Sequence, residues 1–172
     1  MKTEYEKQIE KITHADGFIA ALDQSGGSTP KALRLYGIPD DSYVTGELSM
    51  FDAMHAFRVR IMTSPSFNGD RILAVILFEN TMERLVNGIP VPQYLWKEKN
   101  IVSFIKVDQG LMPEEDGVQK MKTMTKLDDL LDRAVLHKVF GTKMRSVIKK
   151  ANAKGIQVRR KSINDLCSKV IY

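Results

Sequence analysis

Charged side chains stand at the ends of four short apolar runs in the sequence. Asp23 and Lys106 each directly follow a run, Glu79 ends the second run, and Lys143 and Arg145 lie at the end of the fourth. The carboxyl ends of parallel strands in a barrel build one rim, which is where such barrels place their active sites. Cations at that rim would bind phosphate groups, and a lysine held near other cations has a lowered pKa and acts as an amine nucleophile. The set therefore indicates a phosphorylated substrate that carries a carbonyl group.

The four apolar runs predict the strands that would position these residues. They lie at 18–22, 71–79, 102–105 and 138–145. The first run is apolar throughout, which is typical of a parallel strand that is buried on both faces. The last is the weakest, because Gly141 gives a strand no side chain to pack.

Apolar residues at helical spacing predict helices before, between and after these strands. The first helix precedes the first strand. Thr29 and Pro30 are interpreted as the N-cap and first residue of the second helix, and Gly37 as its end. Longer stripes run through 48–61 and 127–135. The alternation of strand and helix predicts an α/β fold with a parallel sheet.

Composition excludes several classes of protein. The chain has 172 residues, of which 43% are hydrophobic and 27% charged, so it is neither a disordered tail nor a disulfide miniprotein. Its longest apolar run has seven residues, at 72–78, where a bilayer span needs roughly 20. The polar, acidic N-terminus does not resemble a signal peptide. We therefore expect a cytoplasmic protein with no membrane partner.

Metal and nucleic-acid ligands are not expected either. A single cysteine and three scattered histidines give no metal-ligand spacing, and no cofactor is indicated. The net charge is +5, and residues 158–172 supply most of it, with four basic residues against one acidic residue. Because no basic face is interleaved with aromatic residues, a nucleic-acid-binding module is the weakest of the function classes considered.

Five blocks of sequence occur in order along the chain: GFIAALDQSGGSTPKAL at 17–33, ILFENTM at 76–82, FIKVDQG at 104–110, LLDRA at 130–134 and FGTKMRS at 140–146. Together they resemble the class I fructose-bisphosphate aldolases, in their bacterial branch. The resemblance spans roughly residues 18–157 and about the first half of that family's barrel. It implies a (β/α)8 TIM-barrel fold, here a partial barrel of about four β/α units. It also implies cleavage of fructose 1,6-bisphosphate to glyceraldehyde 3-phosphate and dihydroxyacetone phosphate through a lysine Schiff base.

The resemblance assigns catalytic roles to three residues. Asp23 is similar to the first-strand aspartate of the family, which assists carbinolamine formation and carbon–carbon cleavage. Lys106 and Lys143 match two strand-end lysines that serve phosphate binding and proton handling. The non-catalytic explanation for Asp23 is an anion at a helix N-terminus, and the non-catalytic explanation for each lysine is a surface charge.

Four further residues resemble substrate-binding positions. Ser25 and Ser28 match loop serines near the substrate phosphate, where backbone and hydroxyl donors form an anion nest. Ordinary turn chemistry explains the two serines nearly as well. Lys31 matches a basic residue near that phosphate, with a solvated helix lysine as the alternative. Arg145 matches a basic site residue, with a structural salt bridge as the competing explanation, and Glu79 receives no role.

The family's Schiff-base lysine and its acid/base glutamate belong to later strands that the sequence does not contain. We expect two segments, an aldolase-barrel part at 1–157 and a basic tail at 158–172 that does not match the family. A frameshift is one hypothesis for the tail; downstream nucleotides that encode the missing barrel in another frame would support it. We expect negligible aldolase turnover from this chain alone, and self-association through exposed strand edges. A non-catalytic sugar-phosphate-binding half barrel is the alternative function.

Overall fold

A computed structural model describes residues 2–25, 27–137 and 139, and the fold is an α/β arrangement of short strands and helices. The strands are β1 (Phe18–Leu22), β2 (Ile72–Leu77), β3 (Leu85–Val86), β4 (Ile89–Pro90) and β5 (Val102–Ile105). The α-helices are α1 (Glu4–His14), α2 (Ser28–Leu35), α3 (Leu48–Thr63), α4 (Glu79–Met82), α5 (Val91–Lys99) and α6 (Leu127–Leu136), with a 3-10 turn at Asp40–Ser42.

The main sheet places β2 between β1 and β5, and both pairings are parallel. The register aligns Leu22 with Leu77, and Leu77 with Ile105. Three strands therefore end at the same level, and the residues that follow them share one edge of the sheet. The separate β3–β4 pair is antiparallel.

The two faces of the main sheet have different environments. Leu22, Leu77 and Ile105 point to the face that is covered by helices, where they are buried in one cluster with Met62 of α3 and Leu95 of α5. Because side chains alternate along a strand, the next residue of each strand belongs to the opposite face.

That opposite face is the one that would line the interior of a barrel. On it, Ala21 is exposed, and Ile76 and Phe104 are partly exposed. Asp23 and Lys106 continue the same alternation at the carboxyl ends of β1 and β5, so both belong to the interior face.

Two glycines permit close backbone approaches at the amino end of β2. Gly17 has a φ of 147°, and a Cβ there would lie 2.4 Å from the carbonyl oxygen of Arg71. Gly69 donates its N–H to the carbonyl of Lys99 at 2.7 Å, and a Cβ there would lie 2.4 Å from the carbonyl oxygen of Asn100. This end of the sheet is therefore packed backbone against backbone.

The strands at 18–22, 71–79 and 102–105 were predicted at the right places, and the predicted parallel sheet is confirmed. Burial of the first strand on both faces was wrong, because Phe18 is 54% exposed at its start. The fourth predicted strand, at 138–145, and the helix predicted after it lie outside the described residues, apart from a buried Val139.

The helices required two corrections. Helix α2 begins at Ser28, with Gly27 as N-cap, rather than at Pro30 after a Thr29 cap. The physical reason is a turn in which the Ser28 N–H and hydroxyl both donate to the carbonyl of Ser25, so the helix starts two residues early. Helix α5 was not predicted, since the prolines that flank its start interrupt the helical pattern.

Candidate active site

The carboxyl edge of the main sheet brings Asp23 and Lys106 together. The Nζ atom of Lys106 lies 3.7 Å from Oδ2 of Asp23, and it donates a hydrogen bond of 2.6 Å to Oδ2 of Asp108. The side chains of Asp23 and Lys106 are 26% and 22% exposed. Because β1 and β5 flank β2, this contact passes over the end of the central strand. The structure thus brings these two side chains together at one edge of the sheet, while their catalytic roles stay predictions.

Backbone hydrogen bonds fix the position of Lys106. Its N–H donates to the carbonyl of Leu77 at 2.9 Å, which continues the β2–β5 ladder one residue beyond β5. The next turn is held by Asp108, whose Oδ1 accepts the N–H of Gly110 at 3.1 Å. The amine is therefore presented from a rigid strand end rather than from a loose loop.

The charge environment of Lys106 differs from the expected one. A lysine becomes nucleophilic next to other cations, whereas within the described part of the chain Lys106 contacts two carboxylates, those of Asp23 and Asp108. Burial raises the pKa of Asp108, but hydrogen bonds from Lys106 and from the Gly110 N–H outweigh it, so the pKa lies below its ordinary value. Asp108 is thus an anion at neutral pH, and Lys106 is held as one partner of an ion pair.

Beneath the rim lies a buried arginine that sequence reasoning missed. Arg58 of α3 is 2% exposed, and its Nη2 donates to the backbone carbonyl of Gln24 at 2.6 Å. Its Nη1 donates to Oγ1 of Thr81 in α4. Burial lowers the pKa of Arg58 to about 10, and the charge of Asp23 opposes that effect. The guanidinium is therefore still a cation at neutral pH.

A sequence signal for Arg58 did exist. The arginine lies four residues after Met54 and four before Met62, and both of these methionines are fully buried. This spacing places a charge on the apolar side of α3. Charged residues are almost never buried without a partner, so an arginine in an apolar stripe predicts a specific polar contact.

The loop after β1 is held by its own turn hydrogen bonds. The Ser28 hydroxyl donates to the carbonyl of Ser25 at 3.1 Å and accepts the Ser25 N–H at 3.3 Å. Ser25 is partly buried, whereas Ser28 and Lys31 are exposed. Turn chemistry therefore accounts for the serines in this structure, and their roles as phosphate ligands stay predictions, as does that of Lys31.

Glu79 lies just beyond β2, close to the predicted end of that strand, but it is the first residue of α4 and pairs with an arginine of α6. Arg133 donates from Nη2 to Oε2 of Glu79 at 3.0 Å, from Nη1 to Glu83, and from Nε to Asp129 at 3.0 Å. The hydrogen bonds to Glu79 and Glu83 raise the pKa of Arg133 above its ordinary value. This network joins the end of β2 to α6.

Lys143 and Arg145 lie outside the described residues, so their predicted places at the rim stay predictions. Within residues 2–25, 27–137 and 139, no three His, Cys, Asp or Glu side chains are grouped so that they could hold a metal ion. The helices in that same part of the chain include none that is both long enough and apolar enough to cross a membrane.

A parallel sheet with charged residues at its carboxyl edge is the arrangement of α/β enzymes, a class that includes the TIM barrels. The family model described as "Fructose-bisphosphate aldolase class-I" matches residues 5–164. This chain belongs to the class I fructose-bisphosphate aldolase family. The predicted family and the predicted partial-barrel fold are thereby confirmed. The boundary at 157/158 stays a prediction, and the family match continues to residue 164.

Similar proteins include bacterial class 1 fructose-bisphosphate aldolases. The chain is 56% identical to that of Synechocystis sp. over 152 residues, which cover 88% of this chain and 50% of the relative. It is 55% identical to that of Clostridium acetobutylicum over 153 residues, which cover 89% and 52%. The chain thus spans about half the length of these curated relatives.

A similar solved structure is that of fructose-bisphosphate aldolase from Plasmodium falciparum, crystallised with TRAP and a small-molecule inhibitor. The TM-score is 0.53 at 25% sequence identity, and the superposition covers 78% of this chain and 36% of that one. This similarity supports the same partial-barrel fold.

Proposed function

We propose that this chain carries the Asp23–Lys106 part of a class I fructose-bisphosphate aldolase site, and that it binds a phosphorylated sugar there. The observation that carries the proposal is the 3.7 Å contact between Lys106 Nζ and Asp23 Oδ2 at the carboxyl edge of a parallel sheet. Barrel enzymes of this class act at that edge. The chain spans half the length of the Synechocystis relative. Turnover would therefore require the remaining part of a barrel.

In this proposal each residue has a definite task. The ammonium of Lys106 attracts the substrate phosphate. The carboxylate of Asp23 exchanges a proton with the hydroxyl of the carbinolamine, which forms when the Schiff-base lysine of the remaining barrel adds to the substrate carbonyl. Asp108 holds the Lys106 side chain at the rim when no ligand is bound. A bound phosphate would compete with Asp108 for Lys106, so binding would release that carboxylate.

The test has two arms. In the first, the purified chain is titrated with dihydroxyacetone phosphate by calorimetry, and we expect saturable binding that Lys106→Met weakens at least tenfold. Lys97→Met is the matched control, because it removes an exposed lysine from the last turn of α5, next to the amino end of β5 and opposite to the rim. In the second arm, the chain is mixed with the part of the Synechocystis relative that it does not match, and cleavage of fructose 1,6-bisphosphate is measured.

We expect no turnover from the chain alone and measurable turnover from the mixture, which Asp23→Asn should abolish. Equal binding by the parent and Lys106→Met would refute the role of Lys106. Turnover by the unmixed chain well above a no-enzyme control would refute the need for the remaining barrel.

The second candidate function is binding of a sugar phosphate without catalysis. It is favoured by the pairing of Lys106 with two carboxylates, which occupies the amine. Incubation of the two mixed fragments with dihydroxyacetone phosphate and borohydride separates the two functions, since borohydride reduces any lysine imine to a stable adduct that intact mass detects on the fragment that carries the lysine. Binding without an adduct, and without turnover in the mixture, would favour the binding module.

Two further properties belong to the same proposal. We propose self-association through β1 and β5, the outer strands of the described sheet, and through the interior face on which Ala21 is exposed. Unpaired strand edges are ready templates for pairing with a second copy. We also propose a cytoplasmic location, supported by the glycolytic family that matches the chain.

A further inference from the structure

Arg58 connects three elements below the rim. From α3, one arm of its guanidinium reaches the Gln24 carbonyl just beyond β1, and the other reaches the Thr81 hydroxyl in α4, just beyond β2. The same Nη2 also lies 3.3 Å from Oε1 of Gln24. The side chain is 2% exposed and Thr81 is fully buried, so water does not compete for these bonds.

Stability alone is a weak reason to bury this charge. Removing a guanidinium from water is unfavourable, and apolar residues of similar volume often stabilise a core equally well or better. What an apolar residue could not provide is a directed fork that binds two acceptors on two different elements at once. The geometry of Arg58 therefore favours a role in fixing positions.

The position that Arg58 fixes is that of the active-site aspartate. Gln24 directly follows Asp23, so a bond to the Gln24 carbonyl restrains the peptide next to the Asp23 Cα. The second anchor is itself rigid, because the Thr81 N–H donates to the carbonyl of Phe78 at 2.9 Å in the first turn of α4. Arg58 thereby fixes the end of β1 relative to the end of β2. Asp23 meets Lys106 across the end of that same strand, β2.

We propose that Arg58 is a positioning residue that holds the Asp23 carboxylate opposite Lys106. The proposal rests on the proposed function only in treating Asp23 and Lys106 as site residues. Arg58 reaches the rim at the backbone of Gln24 and not at the Asp23 carboxylate, so it is not a catalytic residue. It acts through the Gln24 peptide, with Thr81 as its second anchor.

Zero-length carbodiimide cross-linking tests this arrangement without any ligand. The reagent joins a carboxylate to an amine that it contacts, and peptide mass spectrometry distinguishes the Asp23–Lys106 product from the Lys106–Asp108 product. The second product serves as an internal control, because that pair lies within one turn after β5 and does not depend on Arg58. The measured quantity is the ratio of the two yields.

Thr81→Val removes the hydroxyl acceptor at nearly constant volume, and Thr81→Ser keeps it. We expect Thr81→Val to lower the ratio about tenfold or more, as for one hydrogen bond to a charged group, and Thr81→Ser to leave it near the parent value. Thr63→Val is the matched control, because the Thr63 hydroxyl bonds within α3, to the carbonyl of Val59. It should not change the ratio.

Arg58→Lys provides a second variant if Thr81→Val does not fold, because one ammonium keeps the charge but cannot reproduce the fork. Circular dichroism melting first establishes that each variant is folded. A parental ratio in folded Thr81→Val or folded Arg58→Lys would overturn the proposal, and so would an equal loss in Thr81→Ser.

Turnover in the mixed-fragment assay then separates this proposal from the proposed function. A lowered cross-link ratio with kcat reduced and KM little changed, restored by Thr81→Ser, supports both. A lowered ratio in a protein that neither binds nor cleaves sugar phosphates supports the positioning role and refutes the proposed function.

Discussion

The amino end of β2 offers a clean test of whether stability and site geometry are separable in this fold. In Gly69→Ala, the added Cβ would lie 2.4 Å from the Asn100 carbonyl oxygen and 2.8 Å from the Lys99 carbonyl oxygen. Both contacts are to backbone, so no flexible side chain can move aside. The segment at 99–100 must shift, and the 2.7 Å bond from the Gly69 N–H to Lys99 would lengthen with it.

The expected loss of stability follows from the steric contacts of the added Cβ and from the weakened Gly69–Lys99 hydrogen bond. Overpacking of a rigid site costs about 1–3 kcal/mol, and weakening of one backbone hydrogen bond adds about 1 kcal/mol. We therefore expect Gly69→Ala to lower the free energy of unfolding by about 2–4 kcal/mol, measured by urea titration with an unchanged slope. Gly27→Ala is the control, since nothing lies within 4 Å of its added Cβ.

The same variant should leave the rim intact. The Lys106–Asp108 contact lies at the carboxyl end of the sheet, opposite to Gly69, so its cross-linking yield in folded Gly69→Ala should match that of the parent. A change in stability below about 0.5 kcal/mol, comparable to an ordinary surface substitution, would refute the packing argument. Equal losses in Gly69→Ala and Gly27→Ala would refute it as well.

Three further predictions concern the core and the rim. Leu77→Ala should lower the free energy of unfolding by about 2–5 kcal/mol in a urea titration, because Leu77 is fully buried against α3 and α5. The pKa of Asp108 in the folded protein lies below its ordinary value of 3.8. The ionised carboxylate therefore stabilises the folded protein at pH values above 3.8, and this stabilisation is lost as the pH falls through the pKa of the folded protein. Urea midpoints measured between pH 5 and pH 3 should therefore fall more steeply for the parent than for Asp108→Asn, and parallel slopes would contradict this. In the calorimetric titration, Asp108→Asn should also tighten phosphate binding by Lys106 about two- to fivefold, since it removes the competing carboxylate; unchanged affinity would argue against that competition.

The fold was predictable wherever a single periodicity decided the outcome. The β2 run is apolar at every position, and no surface helix of that length has such a pattern, so its strand was identified correctly. Helix α5 was missed because Pro90 and Pro92 stand at its start, where the missing N–H groups do no harm. Propensity arguments count such prolines against a helix, whereas their position decides their effect.

The candidate site was predictable only in part. Asp23 and Lys106 follow strands, so strand order alone brings them to one edge. The carboxylate partners of Lys106 and the role of Arg58 depend on side-chain directions in three dimensions. Arg133 shows the same limit, because nothing in its local sequence indicates that it reaches the end of β2.

The place of β2 between β1 and β5 also sets a length requirement on the rim. Two strand spacings separate the outer strands, or about 9.6 Å at about 4.8 Å each. A carboxylate and an amine can meet across that gap only if their combined reach matches it, and one short acid with one long base does so at 3.7 Å. The strand spacing therefore sets the side-chain lengths that can meet at the rim. Lengthening Asp23 to glutamate or shortening Lys106 would preserve the charges while misplacing their meeting point, so at these two positions side-chain length is constrained as strictly as charge.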